Sequence, residues 1–177
     1  MSERSGPGRA DRDRDETGRP RNARPRDASG RPLPRGAAGE EPVPEEPALP
    51  PAEALGRAQA LLDEGRPFHA HEVLEASWKA APAQERDLWQ GLAQVAVGLT
   101  HAQRGNARGA VALLRRGADR ISPPGPAQDA PAPHGIDAAG VAAAARALAG
   151  QLERDGLSAG SGLTIRLRGP QPGRPPA

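Results

Sequence analysis

The sequence contains no cysteine, a single lysine (Lys79) and no long hydrophobic run. The absence of cysteine excludes disulfide bonds, thiolate metal ligands and thiol catalysis, and it favours a reducing, cytoplasmic location. No apolar stretch approaches the roughly 20 residues that cross a bilayer, and none near Met1 resembles a signal peptide, so we expect no membrane partner. A formal net charge of +2 is low for a dedicated nucleic-acid-binding protein.

Glycine and proline, with 22 and 21 residues, concentrate at the two ends of the chain and in one internal stretch. The hydrophobic fraction is only 36%, so this composition predicts that part of the chain lies outside any core. We predict a disordered tail rich in Arg, Pro and Gly over 1–50, a helical domain over 51–156 and a disordered tail over 157–177. Within the domain, a linker is expected at about 122–135.

Apolar residues recur every three or four positions in five stretches, which is the spacing of an amphipathic helix. The first stretch ends at Gly65 and the second begins at Pro67, residue types that favour a helix end and a helix start. The third runs from about 83 to 104. Asn106 and Asp137 are predicted to cap the fourth and fifth helices.

A weak internal repeat is found when Gly65 is aligned with Gly105, because each then separates two helices of similar pattern. The repeated unit is similar to the helical hairpins of tetratricopeptide proteins. We therefore predict an all-α fold, a compact bundle of about five helices built from antiparallel helical hairpins, tetratricopeptide-like, with disordered termini. The alternating run from Leu163 to Leu167 is isolated between Gly and Pro and is assigned to the tail.

The second helix carries an unusual mixture of ionisable and aromatic side chains. At about 100° per residue, Phe68, His71, Glu75 and Trp78 share one face. A buried carboxylate needs a donor, and a histidine one turn earlier supplies it, so we predict a buried His71–Glu75 hydrogen bond. Loss of that pair in His71→Ala should cost about 2 to 5 kcal/mol. His69 points about 160° away from His71, and we expect it to be exposed.

The third helix adds polar residues beside its apolar stripe. Gln94 and His101 lie on that polar side, which antiparallel packing could turn toward His71. The candidate site is therefore the set His71, Glu75, Trp78, Gln94 and His101. Two interpretations stay open: a binding site, or a buried polar network that fixes the register of the helices.

A metal site is one alternative for these residues. The His-Glu-x-x-Glu sequence beginning at His71 is similar to the zinc-binding His-Glu-x-x-His helix, but Glu75 stands where the second histidine would be. His71, Glu75 and His101 could instead form a two-histidine, one-carboxylate set for zinc or ferrous iron, with Glu72 as a general base. The sequence identifies no cofactor beyond this.

His71, Glu75 and Trp78 also form a His-x-x-x-Glu-x-x-Trp pattern. With this pattern, the segment from Phe68 to Ile121 resembles a bacterial and archaeal domain-of-unknown-function family, number 309. The resemblance implies a compact all-α fold and no established activity. The other positions that carry it are Gln90-Gly91-Leu92, His101, Gly105-Asn106, Gly109-Ala110 and His134-Gly135-Ile136-Asp137.

Three functions are compatible with the sequence. We favour a non-enzymatic binding or scaffold module for a protein or small-molecule ligand, because the chain has no convincing nucleophile, phosphate loop or complete metal motif. The first alternative is a metal-dependent hydrolase using His71, Glu75 and His101. The second is nucleic-acid contact through the Arg-rich N-terminal tail, which is weakened because interspersed Asp and Glu residues cancel most of its charge.

Overall fold

A computed structural model describes residues 25–27, 30–34, 36–39, 48–122, 132–157 and 165–169. Within these ranges no helix is both long enough and apolar enough to cross a membrane. The described chain forms five α-helices, and the predicted all-α fold class is confirmed. They are α1 (Pro51–Asp63), α2 (Pro67–Ala80), α3 (Arg86–Gln103), α4 (Ala107–Ile121) and α5 (Ala138–Asp155).

The local signals that begin and end the helices act as the sequence predicts. Gly65 and Gly105 follow α1 and α3 with positive φ angles of 71° and 85°, a conformation that glycine adopts without strain. The side chains of Asn106 and Asp137 accept hydrogen bonds from backbone amides in the first turns of α4 and α5. One difference is that Ala83–Glu85 forms a short 3-10 turn ahead of α3.

Each helix packs on the next one along the chain, so that α3 lies between α2 and α4 and α4 lies between α3 and α5. The short connections from α1 to α4 favour this arrangement, whereas residues 122–137 separate α4 from α5. The core is aliphatic and contains one tryptophan. Its largest fully buried side chains include Leu55, Leu61, Leu74, Trp89, Leu92, Leu99 and Leu114.

In the described C-terminal segment, 165–169, two side chains pack into the core, in a region that the sequence predicts to be a tail. Ile165 and Leu167 are 2% and 1% exposed. The backbone of Leu167 is held on both sides, because its N–H donates to the side chain of Gln59 at 2.8 Å and its carbonyl accepts from the N–H of Asp137 at 3.0 Å. Ile165 and Leu167, two apolar residues of the alternating run, are therefore buried, and the residues that hold Leu167 are distant in sequence.

The described N-terminal residues also contact the helical domain, although the sequence analysis assigned 1–50 to a disordered tail. Pro25 and Leu33 are joined by a backbone hydrogen bond of 2.7 Å, and the carbonyl of Asp27 accepts from the N–H of Gly30 at 2.8 Å. These bonds close a turn. Most of the predicted tails and linker lies outside the described residues, and the domain boundaries stay a prediction.

Candidate functional site

The core side of α2 consists of six buried residues, which are Pro67, His69, Ala70, Val73, Leu74 and Ser77. Ala70 and Ser77 are buried at the centre of this side, whereas His71 and Glu75 lie at its edge. Their side chains are 22% and 34% exposed, respectively. The predicted common face of His71 and Glu75 therefore exists, but it is half-buried beside the core.

His69 is buried, with 2% of its surface exposed, and the prediction that it faces solvent is wrong. Its position on the helical wheel falls on the same arc as Ala70 and Val73, which pack into the core. The error arose because Phe68 was taken to mark the core side, whereas Phe68 is half-buried and the buried side of α2 includes His69 and Leu74. Its ring meets the ring of Phe68 edge-on, with 5.5 Å between the centroids.

His71, Glu75 and Lys79 follow one another along the outer side of α2. Nε2 of His71 is 3.6 Å from a carboxylate oxygen of Glu75, which is too long for the predicted hydrogen bond. Nζ of Lys79 approaches the other oxygen to 3.2 Å. Burial lowers the pKa of the His71 imidazole below its ordinary value, while Glu75 acts against this change and Lys79 adds to it.

Phe68 connects this charged row to two other parts of the chain. Its ring centroid is 6.3 Å from that of His71 and 5.1 Å and 5.7 Å from the guanidinium carbons of Arg26 and Arg104. These distances are those of cation–π contacts. We call the surface formed by Phe68, His71, Glu75 and Lys79 the outer face of α2.

Part of the N-terminal stretch lies on the Phe68 end of this face. Gly30 is buried against the ring of Phe68, and a guanidinium nitrogen of Arg31 donates to the backbone carbonyl of Arg104 at 3.3 Å. The outer face of α2 is thus in contact with a polypeptide segment about 40 positions away in sequence. Nothing in the sequence pattern signalled this contact.

The other predicted site residues have different surroundings. Trp78 is half-buried and packs against the core. Gln94 is half-buried, and its amide oxygen has no hydrogen-bond partner among the described residues. Nδ1 of His101 lies 2.8 Å from the side-chain nitrogen of Asn106, at the start of α4. A single site that unites these residues with His71 and Glu75 stays a prediction.

The geometry gives little support to a metal site. Within the described ranges, no group of three His, Asp or Glu side chains is placed to hold a metal ion. His71 and Glu75 approach one another, but the observed polar contact of His101 is with Asn106. The two-histidine, one-carboxylate set therefore lacks a convergent third ligand.

A second polar cluster joins the start of α3 to the segment before α5. One carboxylate oxygen of Glu85 accepts from Nε1 of Trp89 at 3.1 Å and lies 2.9 Å from Nε2 of His134. These bonds, first that of His134 and then that of Trp89, lower the pKa of Glu85. Glu85 was not among the residues predicted from the sequence, although its spacing of four from Trp89 could have suggested the contact.

Comparison with protein families matches residues 55–113 to the model described as "Domain of unknown function (DUF309)". That segment, about a third of the chain, is similar to this family. The matched part runs from α1 into α4 and contains His71, Glu75 and Trp78, so the resemblance inferred from the sequence is confirmed there. The DUF309 match begins earlier than the predicted resemblance and does not include His134. No curated protein and no solved structure matches the chain.

Proposed function

We propose that the chain is a non-enzymatic binding module and that the outer face of α2 binds a polypeptide segment. The observation that carries this proposal is the contact of the chain's own N-terminal residues with Phe68. Arg26 lies over the ring and Gly30 is buried against it. A face that accepts a backbone at such close range has the shape needed to bind another segment of similar form.

The chemistry of the outer face supports the same proposal. Phe68 supplies an aromatic anchor, and the half-buried His71 and Glu75 supply ionisable groups beside it. Interfaces between proteins commonly combine a central aromatic residue with a polar rim. The face offers both within one helix.

The two alternatives have less support. A metal-dependent hydrolase needs a third ligand beside His71 and Glu75, and elemental analysis of purified full-length protein would reveal one if stoichiometric zinc, iron or manganese were retained. Contact with nucleic acid through the N-terminal arginines is weakened because Arg26 and Arg31 are engaged by the fold. A cytoplasmic location is also a proposal, and cell fractionation would test it.

Selection from a displayed peptide library tests the binding function. Full-length protein is used as the target, and enriched peptides are measured against Phe68→Ala and against Leu157→Ala. Leu157 is a matched control because it is an exposed large apolar residue, 37% exposed, beyond the end of α5. We expect enriched peptides to lose at least about tenfold in affinity for Phe68→Ala and none for Leu157→Ala. Failure to enrich any Phe68-dependent peptide would contradict the proposal, provided that circular dichroism shows both variants folded.

A further inference from the structure

The N-terminal turn is organised by its own hydrogen bonds. We call residues 25–27 and 30–34 the arginine turn. The N–H of Asp27 donates to the carbonyl of Arg31 at 3.0 Å, and the N–H of Arg31 donates to the side chain of Asp27 at 2.8 Å. The guanidinium of Arg26 donates to the carbonyl of Gly30. Because the turn carries its own bonds, less conformational entropy is lost when it docks.

Gly30 fits the ring of Phe68 in a way that no other residue type could. A Cβ atom at this position would lie 2.2 Å from Cγ of Phe68, far inside any real contact distance. The φ angle of Gly30 is also +75°, in the left-handed region that disfavours side chains. Both the docking surface and the turn conformation therefore require glycine.

The two arginines of the turn attach it on either side of Gly30. Arg26 closes the turn and at the same time places its guanidinium over Phe68. Arg31 reaches the carbonyl of Arg104 at the end of α3, where the helix dipole is negative and favours a cation. The spacing of arginine, three residues, glycine and arginine thus places Arg26 and Gly30 on the ring of Phe68 and the second arginine on a backbone carbonyl at the end of α3.

The docked turn also brings arginines close together. Burial lowers the pKa of Arg104, and the neighbouring Arg26 and Arg31 lower it further, with Asp27 opposing them. This crowding of like charges offsets part of the attraction between turn and domain. Such an interaction is well suited to exchange with a competing segment.

We infer that the arginine turn is a built-in ligand of the outer face of α2, and that the partner of this face is a polypeptide with the same chemistry. Such a partner carries an arginine that stacks on Phe68, a glycine four positions later that lies on the ring, and a second arginine for the carbonyl of Arg104. This inference rests on the proposed binding function. A ligand tethered in the same chain has an effective concentration on the order of millimolar, so the turn covers the Phe68 end of the face until a partner displaces it.

Two full-length glycine variants test the inference. Gly30→Val places a branched side chain against Phe68, whereas Gly36→Val is the matched control, because Gly36 also has a positive φ of 85° but nothing within 4 Å of its Cβ position. Hydrogen exchange of the segment 25–34, followed by mass spectrometry, should become at least about tenfold faster in Gly30→Val and stay unchanged in Gly36→Val. Equal exchange in the two variants would overturn the inference.

A labelled peptide with the sequence of residues 25–34 provides the second measurement. By fluorescence anisotropy it should bind Gly30→Val at least about tenfold more tightly than it binds Gly36→Val, because only the first variant has a vacated face. Adding Phe68→Ala to Gly30→Val should abolish this binding. Binding that is no tighter than that of the control, or that survives the loss of Phe68, would overturn the inference.

Rejection of the built-in-ligand inference can be distinguished from rejection of the proposed binding function. If the library selection yields Phe68-dependent peptides of other chemistry while the turn peptide does not bind, the face is a binding site with a different partner class. The built-in-ligand inference would then be rejected and the proposed function retained. If neither experiment yields Phe68-dependent binding, both are rejected.

Discussion

Gly91 of α3 and Gly117 of α4 face each other so closely that neither position has room for a side chain. A Cβ atom on Gly91 would lie 2.9 Å from the carbonyl oxygen of Gly117, and one on Gly117 would lie 2.8 Å from the carbonyl oxygen of Gly91. The two helix backbones therefore approach directly at this point. This contact helps to explain why α3 and α4 form the centre of the bundle, since close approach lets the flanking side chains interdigitate.

We predict that Gly91→Ala lowers the free energy of unfolding by about 1 to 3 kcal/mol, because a methyl group at the contact forces the helices apart. Alanine favours a helix over glycine, so the substitution would otherwise be stabilising. Gly56→Ala in α1 is the control, since nothing lies within 4 Å of its Cβ position. Urea unfolding should show this control to be more stable by about 0.5 to 1 kcal/mol. If both substitutions stabilised the protein, α3 and α4 would have to be farther apart than the Gly91–Gly117 contact requires.

The structure reverses the expected sensitivity of the two histidines in α2. His69→Ala should lower the free energy of unfolding by about 2 to 4 kcal/mol, because it empties a site in the core. His71→Ala should cost about 1 kcal/mol or less, because Glu75 is one-third exposed and retains Lys79 as a partner. Chemical denaturation of both variants at one pH gives the comparison. A greater loss in His71→Ala would restore the buried-pair interpretation of the sequence.

The helices could be predicted from the sequence because their signals are local. Caps such as Asn106 and Asp137 and the glycine after α3, Gly105, act within a few residues of themselves. The segments containing Gly30 and Leu167 could not be placed, because the residues that hold them, Phe68, Gln59 and Asp137, are distant in sequence. Short segments of this kind have too few apolar residues to show a period.

The candidate site was only partly predictable for a related reason. His71 and Glu75 approach one another because of their spacing on one helix, but at 3.6 Å they do not form the predicted buried hydrogen bond. How deeply the pair is buried depends on where α2 meets its neighbours. The buried side of α2 is centred on Ala70 and Ser77, and the pair lies at its edge. Helical periodicity gives the direction of a side chain, but the packing of other elements decides its exposure.

The lowered pKa of His71 predicts a pH-dependent contribution to stability. Above about pH 6.5 the imidazole is neutral in the folded and unfolded chain, so it contributes no pH dependence. As the pH falls below this value, the unfolded chain takes up the proton first, and the folded state loses stability until its own lowered pKa is passed. Wild type should therefore lose more stability than His71→Gln between pH 7.5 and pH 5 in urea titrations.

The charged neighbours of His71 would explain the opposite result, a gain of stability at low pH. Glu75 favours the protonated imidazole and Lys79 disfavours it. If wild type gained stability relative to His71→Gln on acidification, attraction to Glu75 would outweigh burial. The double variant with Glu75→Gln should then remove that gain.

The Glu85 carboxylate gives the last prediction, because it joins α3 to the segment preceding α5 through Trp89 and His134. We expect Glu85→Gln to lower the free energy of unfolding by about 1 kcal/mol near neutral pH, since neutral hydrogen bonds replace charge-assisted ones. The pKa of Glu85 is lowered in the folded state, so its contribution is complete above the ordinary carboxyl pKa of about 4.3 and is lost as the pH falls through the folded value.

The difference between wild type and Glu85→Gln should therefore be constant from pH 6 to about pH 5 and should shrink toward pH 2.5. Urea unfolding across this range measures it. Asp155→Asn, which changes an exposed carboxyl group at the end of α5, serves as the control and should show no comparable narrowing. A difference that stays constant down to pH 2.5 would mean that the ionised form of Glu85 does not hold Trp89 and His134 together, and that burial of Trp89 alone fixes this end of the bundle.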